Sequence, residues 1–159
     1  MINRRSLRVK VLQLLFSYYN QVVYKEDKKK LQLEISKQLH QSILDIEKPY
    51  FEVISLLIVL KNINEEKKQI AKKELIKKST SRFNLSENRI INFLEKNTQI
   101  VDGLIKHKNG WNTKNENIRN WYNLLLQEEF YKNYVTIEKP KFEEDFDFLQ
   151  NLILKFLFK

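Results

Sequence analysis

The sequence predicts an all-α protein, and three observations carry that expectation. The 159 residues include only two glycines and two prolines, too few turn formers for a sheet protein of this size. Apolar residues recur at three- and four-residue intervals along most of the chain, the period of a helix with one inward face. An apolar fraction of 42% beside 31% charged residues suits a folded helical chain rather than a disordered one. Neither an internal repeat nor a linker rich in Gly, Ser or Pro divides the chain. The expectation is a single domain over residues 1–159, a bundle of about six to seven helices.

Each element has its own signature. Asn3 is placed to cap a first helix from Arg4, in which Leu7, Val11, Leu14, Leu15, Tyr18 and Val22 form one apolar stripe. The polar stretch Tyr24 to Lys30 reads as a loop. Leu31, Ile35, Leu39, Ile43 and Ile46 then share the face of a second helix. Pro49 suits the first turn of a third, where its missing N–H is not needed, and Tyr50, Phe51, Ile54, Leu57, Ile58 and Lys61 continue it. Asn62 and Glu65 have capping-box spacing and predict a further, largely charged helix reaching Lys78. Ser86 is the expected cap of a helix carrying Ile90, Ile91, Phe93, Leu94, Ile100, Val101 and Leu104, with a turn at 106–110. Thr113 and Glu116 repeat the capping-box spacing before Ile118, Trp121, Tyr122, Leu125, Phe130 and Tyr134. Pro140 ends that region. Phe142, Phe146, Leu149, Leu152, Ile153, Phe156 and Leu157 predict a last helix with a strongly apolar face.

Composition excludes several chemistries. Without cysteine there is no disulfide framework, thiolate nucleophile or cysteine metal site, which fits a reducing cytoplasm. No apolar segment with a small-residue cleavage site follows the basic N-terminus, so no signal peptide is expected. The apolar run Val53 to Leu60, broken only by Ser55, is too short to span a bilayer. His40 and His107 lie far apart without ligand-spaced companions, and two glycines cannot build a phosphate loop. Glu143, Glu144, Asp145 and Asp147 are more simply helix capping and solvated charge than a carboxylate pair. The expectation is a protein that is not an enzyme and uses no metal or cofactor.

A net charge of +9 and an isoelectric point near 9.6 favour an anionic partner. Lysine is abundant together with Ile and Asn, however, so much of it is ordinary solvated surface. Arginine is more informative. The chain has six, Arg4, Arg5, Arg8, Arg82, Arg89 and Arg119, and three fall in the first eight positions, where even scatter would put about 0.3. Residues 1–25 carry Arg4, Arg5, Arg8, Lys10 and Lys25 and no acid; Glu26 is the first. The start of a helix bears partial positive charge, so each cation there is unfavourable by roughly 0.3–1 kcal/mol. A segment built against its own dipole wants an external anion. At about 100° per residue the three arginines fall within one arc, suited to bidentate phosphate contact and stacking on unpaired bases. Lys10 adds attraction, Gln13 can read a base edge, and Tyr18 or Tyr19 can stack a base. A nucleic acid with exposed bases is the expected ligand.

The run Asn3-Arg4-Arg5-Ser6-Leu7-Arg8-Val9-Lys10-Val11-Leu12-Gln13-Leu14-Leu15-Phe16 resembles the opening helix of the transcription antitermination factor NusB family, roughly R-R-x-A-R-x-x-A-x-Q-x-L-Y. Arg4, Arg5, Arg8, Gln13 and Leu15 match in register, with Phe16 in place of the aromatic Tyr. Leu7 and Val11 stand where the family has alanines. The opening is similar above all to the long NusB proteins of the Bacteroidetes group, as are Trp111, Asn117-Ile118-Arg119 and Tyr131-Lys132-Asn133-Tyr134. The resemblance implies a NusB-like helical fold, binding to boxA-type RNA, and partnership with the ribosomal protein NusE in the transcription elongation complex. The family's C-terminal motifs are absent, since Ile63-Asn64-Glu65 is misplaced and lacks the continuation. The chain is therefore either the N-terminal part of a longer protein or a reduced relative. A different class of function is a helical adaptor that docks a protein through the apolar helix 146–159.

Overall fold

In the computed structural model, the structure describes residues 4–22, 28–73, 84–107, 111 and 113–157. Those residues are almost wholly helical and contain no strand, as the sequence predicts. The α-helices are α1 (Arg4–Val22), α2 (Lys28–Lys73), α3 (Arg89–Lys96), α4 (Thr98–His107), α5 (Glu116–Leu125), α6 (Glu129–Thr136) and α7 (Phe142–Asn151). A 3-10 turn (Asn84–Glu87) precedes α3, and a π-helical segment (Leu152–Leu157) continues α7. Contacts gather into two compact units, Met1–Phe51 and Glu52–Lys159, and α2 contributes to both.

The first unit comprises α1 and the opening half of α2. Leu31 is buried, and Ile35, Leu39, Ile43 and Ile46 are half-buried, as their common face predicts. Ile46, far along α2, lies beside the first turns of α1, as in an antiparallel helical hairpin. Helix α1 contains no fully buried residue. Leu7, Leu14, Tyr18 and Val22 are half-buried, whereas Val11 and Leu15 of the expected inward stripe are exposed. Asn3, the expected cap, lies outside the described residues.

Helix α2 departs most from the sequence expectation. Pro49 does not open a helix but sits within one, and Asn62 and Glu65 cap nothing because the helix runs on to Lys73. A proline inside a helix removes one hydrogen bond and crowds the preceding turn, at about 3 kcal/mol. Burial of Ile54, Leu56, Leu57, Val59, Leu60 and Ile63 immediately beyond it offsets that cost. The helix starts at Lys28, inside the expected loop, whose residues 24–27 lie outside the described set. So do Leu75, Ile76 and Lys78 of the charged segment.

The second unit is ordered on the far half of α2. Leu57, Leu60 and Ile63 meet Leu85, Ile91, Ile118, Tyr122, Leu125, Tyr131, Tyr134, Phe148, Leu149 and Leu152 in one core. Tyr134 stacks on Phe148 with ring centroids 4.1 Å apart and planes 15° off parallel. The expected helix from residue 90 to 104 is split at Asn97, whose side chain accepts from the N–H groups of Gln99 and Ile100 and starts α4. The expected caps are displaced by two residues. Asn88, not Ser86, caps α3 through bonds from the N–H groups of Ile90 and Ile91, and Asn115, not Thr113, caps α5. Asparagine matches or exceeds Ser and Thr as a cap, and both Asn88 and Asn115 stand next to the first helical residue. Trp121, Phe142 and Phe146, expected to face inward, are exposed.

Two buried polar residues lock this core. Asn64 donates to the Tyr122 hydroxyl (2.7 Å) and the Tyr131 hydroxyl (3.2 Å) and accepts from the Ser86 N–H (3.1 Å). Asp145 accepts from the Tyr134 hydroxyl at 2.6 Å and the Arg89 N–H at 3.2 Å, while Asn88 donates to the Tyr134 hydroxyl at 3.1 Å. Asp145 is thus an anchor of the core rather than solvated charge. Asn64→Leu takes a donor from two buried phenols and leaves the Ser86 N–H without its acceptor, and should lower unfolding free energy in urea by roughly 2–3 kcal/mol.

The same network predicts a response to alkali. Burial raises the pKa of Tyr122, Tyr131 and Tyr134 above the ordinary 10.0. Because the folded state holds these protons more tightly, its stability is intact below pH 10 and falls as pH rises above it. The share of tyrosinate absorbance that belongs to these three buried phenols should appear only together with the loss of helical circular dichroism, above about pH 10. Tyrosinate forming fully before any loss of helix would contradict this.

Candidate nucleic-acid interface

The first turn of α1 holds Arg4 and Arg5 and no acidic residue. All three arginines of the cluster are exposed, and among the described residues the Arg4 and Arg8 guanidinium groups have no ion-pair or hydrogen-bond partner. The described arginines of the second unit are deployed differently. Arg119 binds the Glu66 carboxylate at 2.9 Å and the Thr113 carbonyl at 2.7 Å, and Arg89 binds the Pro140 carbonyl at 3.0 Å. Lysines there are also engaged, Lys61 with Glu95 and Lys68 with Glu87. Lys67 lies 4.6 Å from the centre of the Tyr122 ring and donates to Asn123, its pKa lowered by partial burial and then by Arg119. Arg82 lies outside the described residues.

Helical periodicity sorts α1 into lengthwise rows. Arg4 and Arg8 continue at four-residue steps into Leu12 and Phe16, with Tyr19 alongside. Leu12, Phe16 and Tyr19 are 66%, 71% and 74% exposed. Tyr19 rather than Tyr18 therefore presents its ring to solvent, since Tyr18 is half-buried on the inward flank. The next row is Arg5, Val9 and Gln13, bordered by Ser6 and Lys10. These five residues and Ile46 of α2 line an open cleft of about 350 Å³.

The structure thus brings Arg5, Lys10 and Gln13 of the expected site to one cleft, and places Arg4 and Arg8 on the adjoining exposed row. Sequence reasoning missed Ser6, Val9 and Ile46. The first two are recoverable from the four-residue step that links Arg5, Val9 and Gln13. Ile46 is not, because no local rule pairs a residue of α2 with a particular turn of α1. Chemically the surface offers exposed guanidinium forks, an amide and a hydroxyl, and exposed rings, which together suit phosphate contact and base stacking. Among the described residues no cluster of His, Asp or Glu is arranged to hold a metal, and no helix is long and apolar enough to cross a membrane. No family model, curated protein or solved structure matches the chain.

An arginine at a helix start opposes the dipole, so Arg4→Glu should stabilise α1 by up to about 1 kcal/mol. Slower amide exchange in α1, together with weaker binding of polyanions such as heparin, is the expected pair of results. Faster exchange would show that the guanidinium supports the helix instead.

Proposed function

We propose that this protein binds RNA as a transcription antitermination or termination factor of NusB type. Arg4, Arg5 and Arg8 hold phosphates and unpaired bases, and Lys10 and Gln13 add contacts beside them. One observation carries the reading: Arg4 and Arg8 stand exposed near the start of α1, whose first turn holds no acid, and have no partner among the described residues, while Arg89 and Arg119 are tied into the fold. The resemblance of residues 3–16 to the opening NusB helix supports boxA-type RNA as ligand, with NusE and the elongation complex as partners in the cytoplasm. Arg5→Ala with Arg8→Ala should weaken filter binding of a boxA-like RNA at least ten-fold while the helical signal is kept. Four phosphate contacts to a single strand give a slope of log affinity against log salt of about −3. Equal affinity of the double variant, or equal binding of duplex DNA, removes the proposal.

A protein-docking role is the second reading, and a specific observation favours it. Phe142, Phe146 and Leu154 on α7 and the π-helical segment are exposed. Light scattering on the whole chain tests it. A mass above the monomer that falls to the monomer in Phe142→Ser with Phe146→Ser supports an adaptor; a monomer throughout rejects self-association through this face.

A further inference from the structure

We propose that the cleft between α1 and α2 in the first unit seats one unpaired nucleotide. The inference rests on the RNA-binding reading above and names what part of the strand enters this site. At about 350 Å³ the cleft lies at the small end of ligand sites, which span roughly 300–1,000 Å³, so it is sized for a monomer unit and not a folded oligomer. Its lining is divided in the manner such a ligand requires. Val9 and Ile46 supply apolar walls for the faces of a flat heteroaromatic ring. Ser6 and Gln13 supply a hydroxyl and an amide, each able to donate and accept at a base edge. Lys10 supplies a cation for an adjoining phosphate, Arg5 adds positive charge to the same wall, and none of the lining side chains is a carboxylate.

Position along the helix makes the cleft part of a path. Arg4 and Arg8 stand on the row beside Arg5, so a strand held by these two groups passes the mouth of the cleft. A base turned out of that strand falls between Val9 and Ile46. A duplex keeps its bases stacked and paired and cannot place one there without unstacking it. The seat therefore selects single strands.

The test uses the whole chain with two unstructured probes, a twelve-nucleotide oligoadenylate and a twelve-nucleotide oligouridylate, and with the monomers adenosine and uridine 5′-monophosphate. Val9→Trp fills the cleft from a position that is 45% exposed, so the fold should persist by circular dichroism. Gln13→Ala, also at an exposed position, removes the amide without adding bulk. Expected results are at least ten-fold weaker oligonucleotide binding by Val9→Trp and a several-fold loss by Gln13→Ala. A monomer at millimolar concentration should shift the Val9 and Ile46 methyl signals in the unmodified protein but not the Ile46 signal in Val9→Trp.

Oligonucleotide binding that is lost in Arg4→Ala with Arg8→Ala, yet unchanged within two-fold in Val9→Trp, overturns the seat and leaves the RNA reading standing. Methyl shifts with a monomer but no binding of any RNA support the seat and overturn the wider reading. Methyl signals that move with neither monomer nor oligonucleotide overturn the seat.

Discussion

The stretch of α2 from Ile54 to Asn64, buried on nearly every side, sets the order of everything in the second unit. Its apolar residues are almost fully buried, and they end in an asparagine that has no water to turn to. A buried amide has to be satisfied by partners at fixed places, or the fold loses the whole desolvation cost. Asn64 finds them in Tyr122, Tyr131 and the backbone before α3, and so ties α5, α6 and the 3-10 turn to one point. Hydrophobic burial supplies the driving force for that packing, but it is not directional. The hydrogen bonds of Asn64, and those of Asp145 with Tyr134 and Arg89, select one arrangement among many compact ones.

Arg4 and Arg8 differ from the cations of the second unit in having no partner among the described residues. In that unit, cations near the core are matched: Lys61 by Glu95, Lys68 by Glu87, Arg119 by Glu66. In the first, α1 carries its arginines on a helix start with no acid in the first turn and no fully buried residue in its length. Neither feature serves the stability of α1. Exposed charge that opposes a helix dipole, followed along the same row by exposed Leu12 and Phe16, leaves α1 with a charged and apolar surface open to solvent. This contrast, more than the net charge of +9, motivates the proposed RNA interface.

Much of the candidate surface was legible because its signal is local. The arginine cluster, the missing acids and the shared arc of Arg4, Arg5 and Arg8 all depend on spacing within one helix. The stripe also put Tyr18 inward and left Tyr19 outside it, but it did not show that Val11 and Leu15 are exposed, because only the neighbouring helix decides which of its residues are covered. Cap positions failed for a related reason. Ser86 and Thr113 have good capping chemistry, but Asn88 and Asn115 stand closer to the residues whose burial fixes the helix start.

By itself the sequence determined the all-α class, the positions of most apolar faces and the basic tip of α1, because each is a matter of period, composition or adjacency. Only tertiary structure decided that α2 passes through Pro49, that Asp145 and Asn64 are interior, and that Ile46 closes a cleft beside Arg5. Ile46 does so through a pairing of two helices that no local period encodes, and the first two share a different physical reason. Local preference for a helix break or a solvated charge is worth a few kcal/mol at most, and burial against residues distant in the chain outweighs it.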